Sequence, residues 1–336
     1  MNSQQLIETA KALIVAKKGI LAADESTNTI KKRFDSIGID STETTRRDYR
    51  QMLFVTEDIN SFISGVILFD ETIRQESSDG DLLVSKIVDQ GIIPGIKVDK
   101  GAKALAGSQG ETITEGLDGL RERLNEYYEL GARFTKWRGV LSIGANLPSP
   151  YCIEANAHAL GRFAALSQEA NLVPIVEPEL LMDGEHSIEA CYAATAYVLR
   201  EVYDHLRRQN ILLEGTLLKP NMVLSGKDAT NRVDADDVAK FTVECLLETV
   251  PAKVPGIVFL SGGQSDEEAT VNLNAINQFA AEQGVPWELS FSYGRGLQTA
   301  PLKAWSGSAD NLQNAQQDFY QRCEVTSLAR QGLYSS

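Results

Sequence analysis

Three lysines and three carboxylates stand where short apolar runs stop. Lys97 follows PGI, Lys136 follows RFT, and Lys219 closes EGTLLK directly before Pro220. Asp24 closes GILAAD, and Glu177 and Glu179 lie in LVPIVEPE. Each residue alone reads more simply as a solvated chain end. As a set they point to chemistry, because buried charges need partners and a cluster of them costs stability unless function retains it. A lysine confined among other cations is disfavoured as an ammonium and can attack a carbonyl carbon as the neutral amine. The protonated imine that results is an electron sink for a carbanion at the adjacent carbon, and nearby carboxylates can move protons to and from hydroxyl oxygens. Lys219 is the expected imine former, its stem held rigidly by a strand end.

A second set suits phosphate. Ser261-Gly262-Gly263 follows GIVFL, and Gly294-Arg295-Gly296 follows the run that contains Ser292. Small residues expose backbone N–H groups to an anion, and an arginine adds a forked cation. Arg33, Lys97 and Arg138 form another basic group able to hold a second anion on the far side. Two anion sites flanking a lysine suggest a bisphosphate.

The elements that must position these groups follow from the hydrophobic pattern. Runs rich in Ile, Val, Leu and Phe begin at residues 19, 65, 94, 133, 172, 214, 256 and 287, about 30 to 45 residues apart, with charged helix-forming stretches between them. Helices are predicted over 116–130, 155–169, 187–209, 234–250 and 265–283. Eight such units without a Pro/Gly/Ser-rich linker fit a closed (β/α)8 TIM barrel, one domain over residues 1–336, better than an open doubly wound sheet. The N-terminal MNSQQLIETAKALIVAKKG reads as a short amphipathic helix, 300–331 as one or two final helices, and QGLYSS as a loose tail over 331–336. In such a barrel the site lies at the C-terminal strand ends. The strand period of two then puts Ile20, Ala22 and Asp24 on one face, Gly95 with Lys97, Phe134 with Lys136, Ile175 with Glu177 and Glu179, and Leu217 with Lys219.

Composition narrows the partners. With 46 acidic against 32 basic residues, the formal charge is −14, a far field that argues against nucleic acid or an anionic membrane while leaving room for a locally basic pocket. No apolar signal core or membrane span is present in the sequence, so a cytoplasmic protein is expected. Cys152, Cys191, Cys245 and Cys323 show no paired spacing, and His158, His186 and His205 share no ligand spacing, which suggests neither disulfides nor a metal site. The first βα turn, LAADESTNTI, carries no G-x-G-x-x-G for a dinucleotide. Trp137 and Trp305 suit packing.

LAADESTNTIKKRF, IIPGIKVDKG, GARFTKWRGV, IVEPELLMDG, LEGTLLKPNMV, IVFLSGGQS and SFSYGRGLQ resemble, in order, the signature segments of class I fructose-bisphosphate aldolases, the lysine-dependent type. The resemblance covers roughly residues 19–305. It implies cleavage of fructose 1,6-bisphosphate with no metal or organic cofactor, and a homotetramer. Lys219 resembles the Schiff-base lysine and Glu177 the main general acid/base with Glu179 in support; Asp24 and Lys136 resemble the groups that handle the C4 hydroxyl and assist imine formation. Ser261, Gly262, Gly294 and Arg295 correspond to the phosphate site at the imine end, and Arg33, Ser26, Lys97 and Arg138 to the distal end of the sugar. Two departures stand out. Asn28-Thr29 replaces the common Gly-Ser, which keeps a hydroxyl at Thr29. The animal members end in a tyrosine that assists proton exchange, whereas here Tyr334 precedes Ser335 and Ser336. A transaldolase-like transferase, which also uses a barrel lysine imine, and a non-enzymatic binding protein are the rival readings.

Overall fold

Residues 1–335 are described by a computed structural model, in which the eight apolar runs form parallel strands that close on themselves. They are β1 (Gly19–Ala23), β2 (Ile63–Leu68), β3 (Ile93–Lys97), β6 (Phe134–Ser142), β7 (Val173–Leu181), β8 (Leu217–Leu218), β9 (Gly256–Phe259) and β10 (Glu288–Tyr293). Strands β4 (Ala102–Ala104) and β5 (Thr112–Thr114) pair antiparallel as a separate hairpin, inside a stretch that the sequence pattern leaves as loop. Around the barrel the order is β1, β2, β3, β6, β7, β8, β9, β10 and back to β1. Strands of a parallel barrel are covered on both faces, which is why they read as continuous apolar runs.

Alternation sorts the strand residues onto two faces as expected. Ile20, Ala22, Ile67, Phe134, Ile175 and Leu217 belong to one buried cluster inside the barrel, apart from the larger cluster between strands and helices. The N-terminal helix Ser3–Leu13 joins the inner cluster through Leu6, Ala10 and Leu13, and so plugs the end of the barrel opposite the strand C-termini. Two glycines permit this packing. A Cβ on Gly215 would stand 2.9 Å from Cβ of Leu6, and a Cβ on Gly95 would overlap the ring of Phe134.

The main difference in the strands is length. β6 and β7 each run nine residues and stay in register from Phe134↔Val173 to Ser142↔Leu181, so Lys136, Arg138, Glu177 and Glu179 lie within paired strands rather than at their tips. β8 is short, but the Lys219 N–H donates to the Val176 carbonyl at 2.8 Å and extends the pairing by one residue. The predicted helices appear as Leu120–Glu129, Pro150–Glu169, Ile188–Arg208, Ala235–Thr249 and Asp266–Gln283, and the C-terminal segment as Arg295–Trp305 and Leu312–Arg330. His158 and His205 lie on two of these outer helices and His186 in a loop.

The tail differs from the loose segment expected. The Leu333 N–H donates to the Leu328 carbonyl at 3.0 Å, the Tyr334 N–H donates to Oδ1 of Asn274 at 2.9 Å, and the Tyr334 hydroxyl donates to Oε1 of Glu267 at 2.7 Å. Both partners sit on the helix Asp266–Gln283, so the chain is held as far as Tyr334. Ser336 lies outside the described residues.

Candidate active site

A cavity of about 690 Å³ opens at the C-terminal ends of the barrel strands. Asp24, Lys97, Lys136, Glu177, Glu179 and Lys219 all line it, as do Ser26, Thr29, Arg33, Arg138, Ser261, Gly262, Ser292, Gly294 and Arg295. Gly263, Gly296 and Tyr334, singled out from sequence, are not part of its wall. Gly263 adopts φ +75°, and a Cβ there would collide with Met182, so its contribution is to shape the turn after β9. Tyr334 points to Glu267 and stands outside the lining.

At the floor the charges alternate. Nζ of Lys136 lies 2.7 Å from Oδ2 of Asp24 and 3.1 Å from Oε2 of Glu177, while Oε1 of Glu177 lies 3.1 Å from Nζ of Lys219. The side chains of Lys136, Glu177 and Lys219 are each 4% exposed, so solvent screens these pairs little. Burial works to raise the Asp24 carboxyl, but Lys136, Lys219 and Lys97 outweigh it and leave the group well below the ordinary carboxylate range. Glu177 follows the same balance: burial raises it, and Lys136, Lys219 and Arg138 bring it below its usual value. Burial works to lower the Lys136 ammonium, but Asp24, Glu177 and Asp99 overcome this and hold it above the ordinary lysine range.

This arrangement separates the roles of the two buried lysines. Lys136 is held as a cation by two carboxylates, which works against its acting as a nucleophile. Among the described residues Lys219 has one ion pair, to Glu177, whose carboxyl is held below its usual value. Removing one proton from the Lys219 ammonium to Glu177 would yield a neutral amine and a carboxylic acid side by side.

Around this floor lie two groups suited to anions. On one side are Ser261, Gly262, Gly294 and Arg295. Gly294 is the cap of the helix Arg295–Trp305, and it and Arg295 line the cavity, so the positive end of that helix borders it. A Cβ on Gly262 would stand 3.0 Å from Oε1 of Glu179, so glycine there is needed for the loop to approach the carboxylate. Ser292 is buried, and its hydroxyl has no hydrogen-bond partner among the described residues. On the other side Ser26 caps the helix Thr27–Asp35, its hydroxyl 3.0 Å from that of Thr29. Lys97 and Arg138 also line the cavity, with Glu179 accepting from Nε of Arg138.

One residue borders both groups. Arg33 resembles a distal-end residue by sequence, yet its Nη2 lies 3.7 Å from the position a Cβ of Gly294 would take. Its guanidinium therefore stands beside the Gly294-Arg295 cradle. Sequence reasoning also missed two buried acids. Asp99 lies 3.3 Å from Nζ of Lys97 and accepts the backbone N–H groups of Gly101 and Arg138 at 3.1 and 3.3 Å. Its signal was available, since it follows Lys97 by two residues and so repeats that face. Glu25 adjoins Asp24 in sequence but turns away from the floor to meet Arg33; no periodicity marks it.

Comparison with known proteins agrees with this geometry. A family model described as Glycolytic, fructose-bisphosphate aldolase class-I, matches residues 5–336. A probable fructose-bisphosphate aldolase class 1 of Xanthomonas campestris pv. campestris is 56% identical over 335 residues, 99% of each chain. Fructose-bisphosphate aldolase 4, cytosolic, of Arabidopsis thaliana is 52% identical, covering 99% of this chain and 84% of the other. Among solved structures, the fructose-bisphosphate aldolase of Plasmodium falciparum, determined in complex with TRAP and a small-molecule inhibitor, superposes with a TM-score of 0.97 at 49% identity over 99% of this chain and 96% of that one. The chain belongs to the class I fructose-bisphosphate aldolase family.

Proposed function

We propose that this cavity reversibly cleaves fructose 1,6-bisphosphate into dihydroxyacetone phosphate and glyceraldehyde 3-phosphate through an imine on Lys219. The observation that carries the assignment is the placement of Glu177 between two lysines of different character, one also tied to Asp24 and one whose ion pair among the described residues is with Glu177. Glu177 takes a proton from the Lys219 ammonium, and the amine adds to the C2 ketone. The protonated Glu177, with the Lys136 cation beside it, returns the proton to the carbinolamine oxygen so that water leaves and the protonated imine forms. A carboxylate, Glu177 or Asp24, then accepts the C4-hydroxyl proton as the C3–C4 bond breaks. The bonding pair passes into the imine and gives the enamine.

Ser261, Gly262, Gly294 and Arg295, with Arg33 beside them, hold the phosphate next to the imine. Ser26, Thr29, Lys97 and Arg138 face the other end of the sugar. Contacts to phosphates remote from the reacting carbons supply binding energy that positions the scissile bond. A cavity with two such ends also suits sedoheptulose 1,7-bisphosphate, which differs by one hydroxylated carbon between the phosphates. The family membership supports a homotetramer acting on phosphorylated sugars in glycolysis, gluconeogenesis or the Calvin cycle, and the cytosolic plant relatives support the same compartment here.

The test is covalent trapping. Borohydride with dihydroxyacetone phosphate should add the reduced adduct to Lys219, located by peptide mapping, and Lys219→Met should abolish both the label and turnover while leaving the protein folded. Label on Lys136 or Lys97 would reassign the roles. Free dihydroxyacetone phosphate released without an aldehyde acceptor separates this reading from a transaldolase-like transferase. A monomer by light scattering at micromolar concentration would refute the tetramer.

A further inference from the structure

Glu25 is buried between the two helices whose N-termini border the cavity, with its side chain 4% exposed. Its Oε1 accepts from Nη1 of Arg33, on the helix Thr27–Asp35, and from Nε2 of Gln298 at 2.9 Å, on the helix Arg295–Trp305. Gln298 is itself fixed: Nε2 also donates to the Ala22 carbonyl at 2.7 Å, and Oε1 accepts the Tyr49 hydroxyl at 3.1 Å. The backbone carbonyl of Glu25 accepts from the buried Arg50 at 2.7 Å. Oε2 of Glu25, by contrast, has no hydrogen-bond partner among the described residues. A buried carboxylate oxygen without a donor costs stability, so packing alone does not account for an acid here.

What the acid does is restrain a fork. A guanidinium is planar and its N–H vectors are fixed relative to one another, so anchoring one arm aims the others. Glu25 anchors Nη1 of Arg33, and Nη2 then faces Gly294 at the edge of the phosphate cradle. We propose that Glu25 is a positioning residue for phosphate recognition, locking one arm of Arg33 against Gln298 and thereby setting the other arm over the Gly294-Arg295 cradle. The inference rests on the phosphate reading given under the proposed function.

The test uses Glu25→Gln, Arg33→Ala, Arg33→Lys and the double variant Glu25→Gln with Arg33→Ala, each checked for folding by circular dichroism. Glu25→Gln should raise KM for fructose 1,6-bisphosphate and for fructose 1-phosphate roughly tenfold, the scale of one charge-assisted hydrogen bond, with kcat within about twofold. Borohydride trapping of Lys219 by unphosphorylated dihydroxyacetone should be unchanged, and the double variant should be no worse than Arg33→Ala alone. If Glu25→Gln does not fold, Arg33→Lys carries the test, since it keeps the charge and loses the fork: a KM close to that of Arg33→Ala supports the proposal, and a wild-type KM overturns it. An unchanged or lower KM in folded Glu25→Gln, an equal loss with unphosphorylated dihydroxyacetone, or additive losses in the double variant also overturn it. Failure of the wild-type protein to trap dihydroxyacetone phosphate on Lys219 would instead refute the proposed function itself.

Discussion

Nζ of Lys219 lies 3.1 Å from Oε1 of Glu177, and each side chain is only 4% exposed. In the proposed mechanism, proton transfer between the two is direct and shielded from bulk water, and it precedes every covalent step. Glu177→Gln keeps the shape of the side chain and removes the base. The expected loss in kcat is about 10²- to 10⁴-fold, the usual range for a positioned acid/base. Trapping of the imine by borohydride should slow in parallel. Slowed cleavage with undiminished trapping would place Glu177 after imine formation only.

The Asp24–Lys136 pair gives a pH-dependent stability with a definite sign. Asp24 is held below its ordinary value of 3.8, so its contribution is fully present above that pH and is lost as pH falls through the lower folded-state value. Asp24→Asn leaves the buried Lys136 with Glu177 as its nearest remaining carboxylate and should cost about 3 kcal/mol at pH 7. Urea denaturation at pH 7 and near pH 3 should show the gap between variant and wild type narrowing with acidification. A gap independent of pH would mean that the pair is not the source of the effect.

Arg295→Ala removes the side-chain cation at the start of the helix Arg295–Trp305 but leaves the backbone of the Gly294 cap in place. Transition-state stabilisation should fall by about 2 to 5 kcal/mol with the bisphosphate. Little change is expected for a substrate lacking the phosphate next to the imine. Equal kinetics with both substrates before and after the substitution would locate the anion site elsewhere.

Gly95→Ala tests the inside of the barrel. An added Cβ overlaps the Phe134 ring, and the overpacking should destabilise the protein by about 1 to 3 kcal/mol, read as a lower Tm. Lys97, two residues on, should carry the strain into the cavity as a raised KM. A Tm equal to wild type would show that the ring has room to move.

The barrel was legible because its signal is local. A strand alternates its side chains every two residues, so Ile20, Ala22 and Asp24, or Ile175, Glu177 and Glu179, share a face whatever the rest of the chain does. The faces of Lys97, Lys136 and Lys219 could be placed from the same rule, although Lys136 lies inside β6 and not at its end; the imine-forming role of Lys219 follows from its confinement among charges, and the role of Glu177 from the resemblance of its segment. Lengths and partners were another matter. β6 and β7 run on to Ser142 and Leu181 because each supplies the other's hydrogen bonds, which neither segment states alone. Gly263 is expected from sequence among the phosphate contacts; it stands outside the cavity lining, at a positive φ beside Met182. Tyr334 could have been free at the end of the chain; it is held by Asn274 and Glu267 from a helix 60 and 67 residues away in sequence. Glu25 and Gln298 meet across 273 residues, and that contact exists only because the last strand of the barrel pairs with the first. Alternation depends on neighbouring backbone and is written in the sequence, whereas the partner of a loop acid or a helix arginine depends on which surfaces the closed barrel brings together.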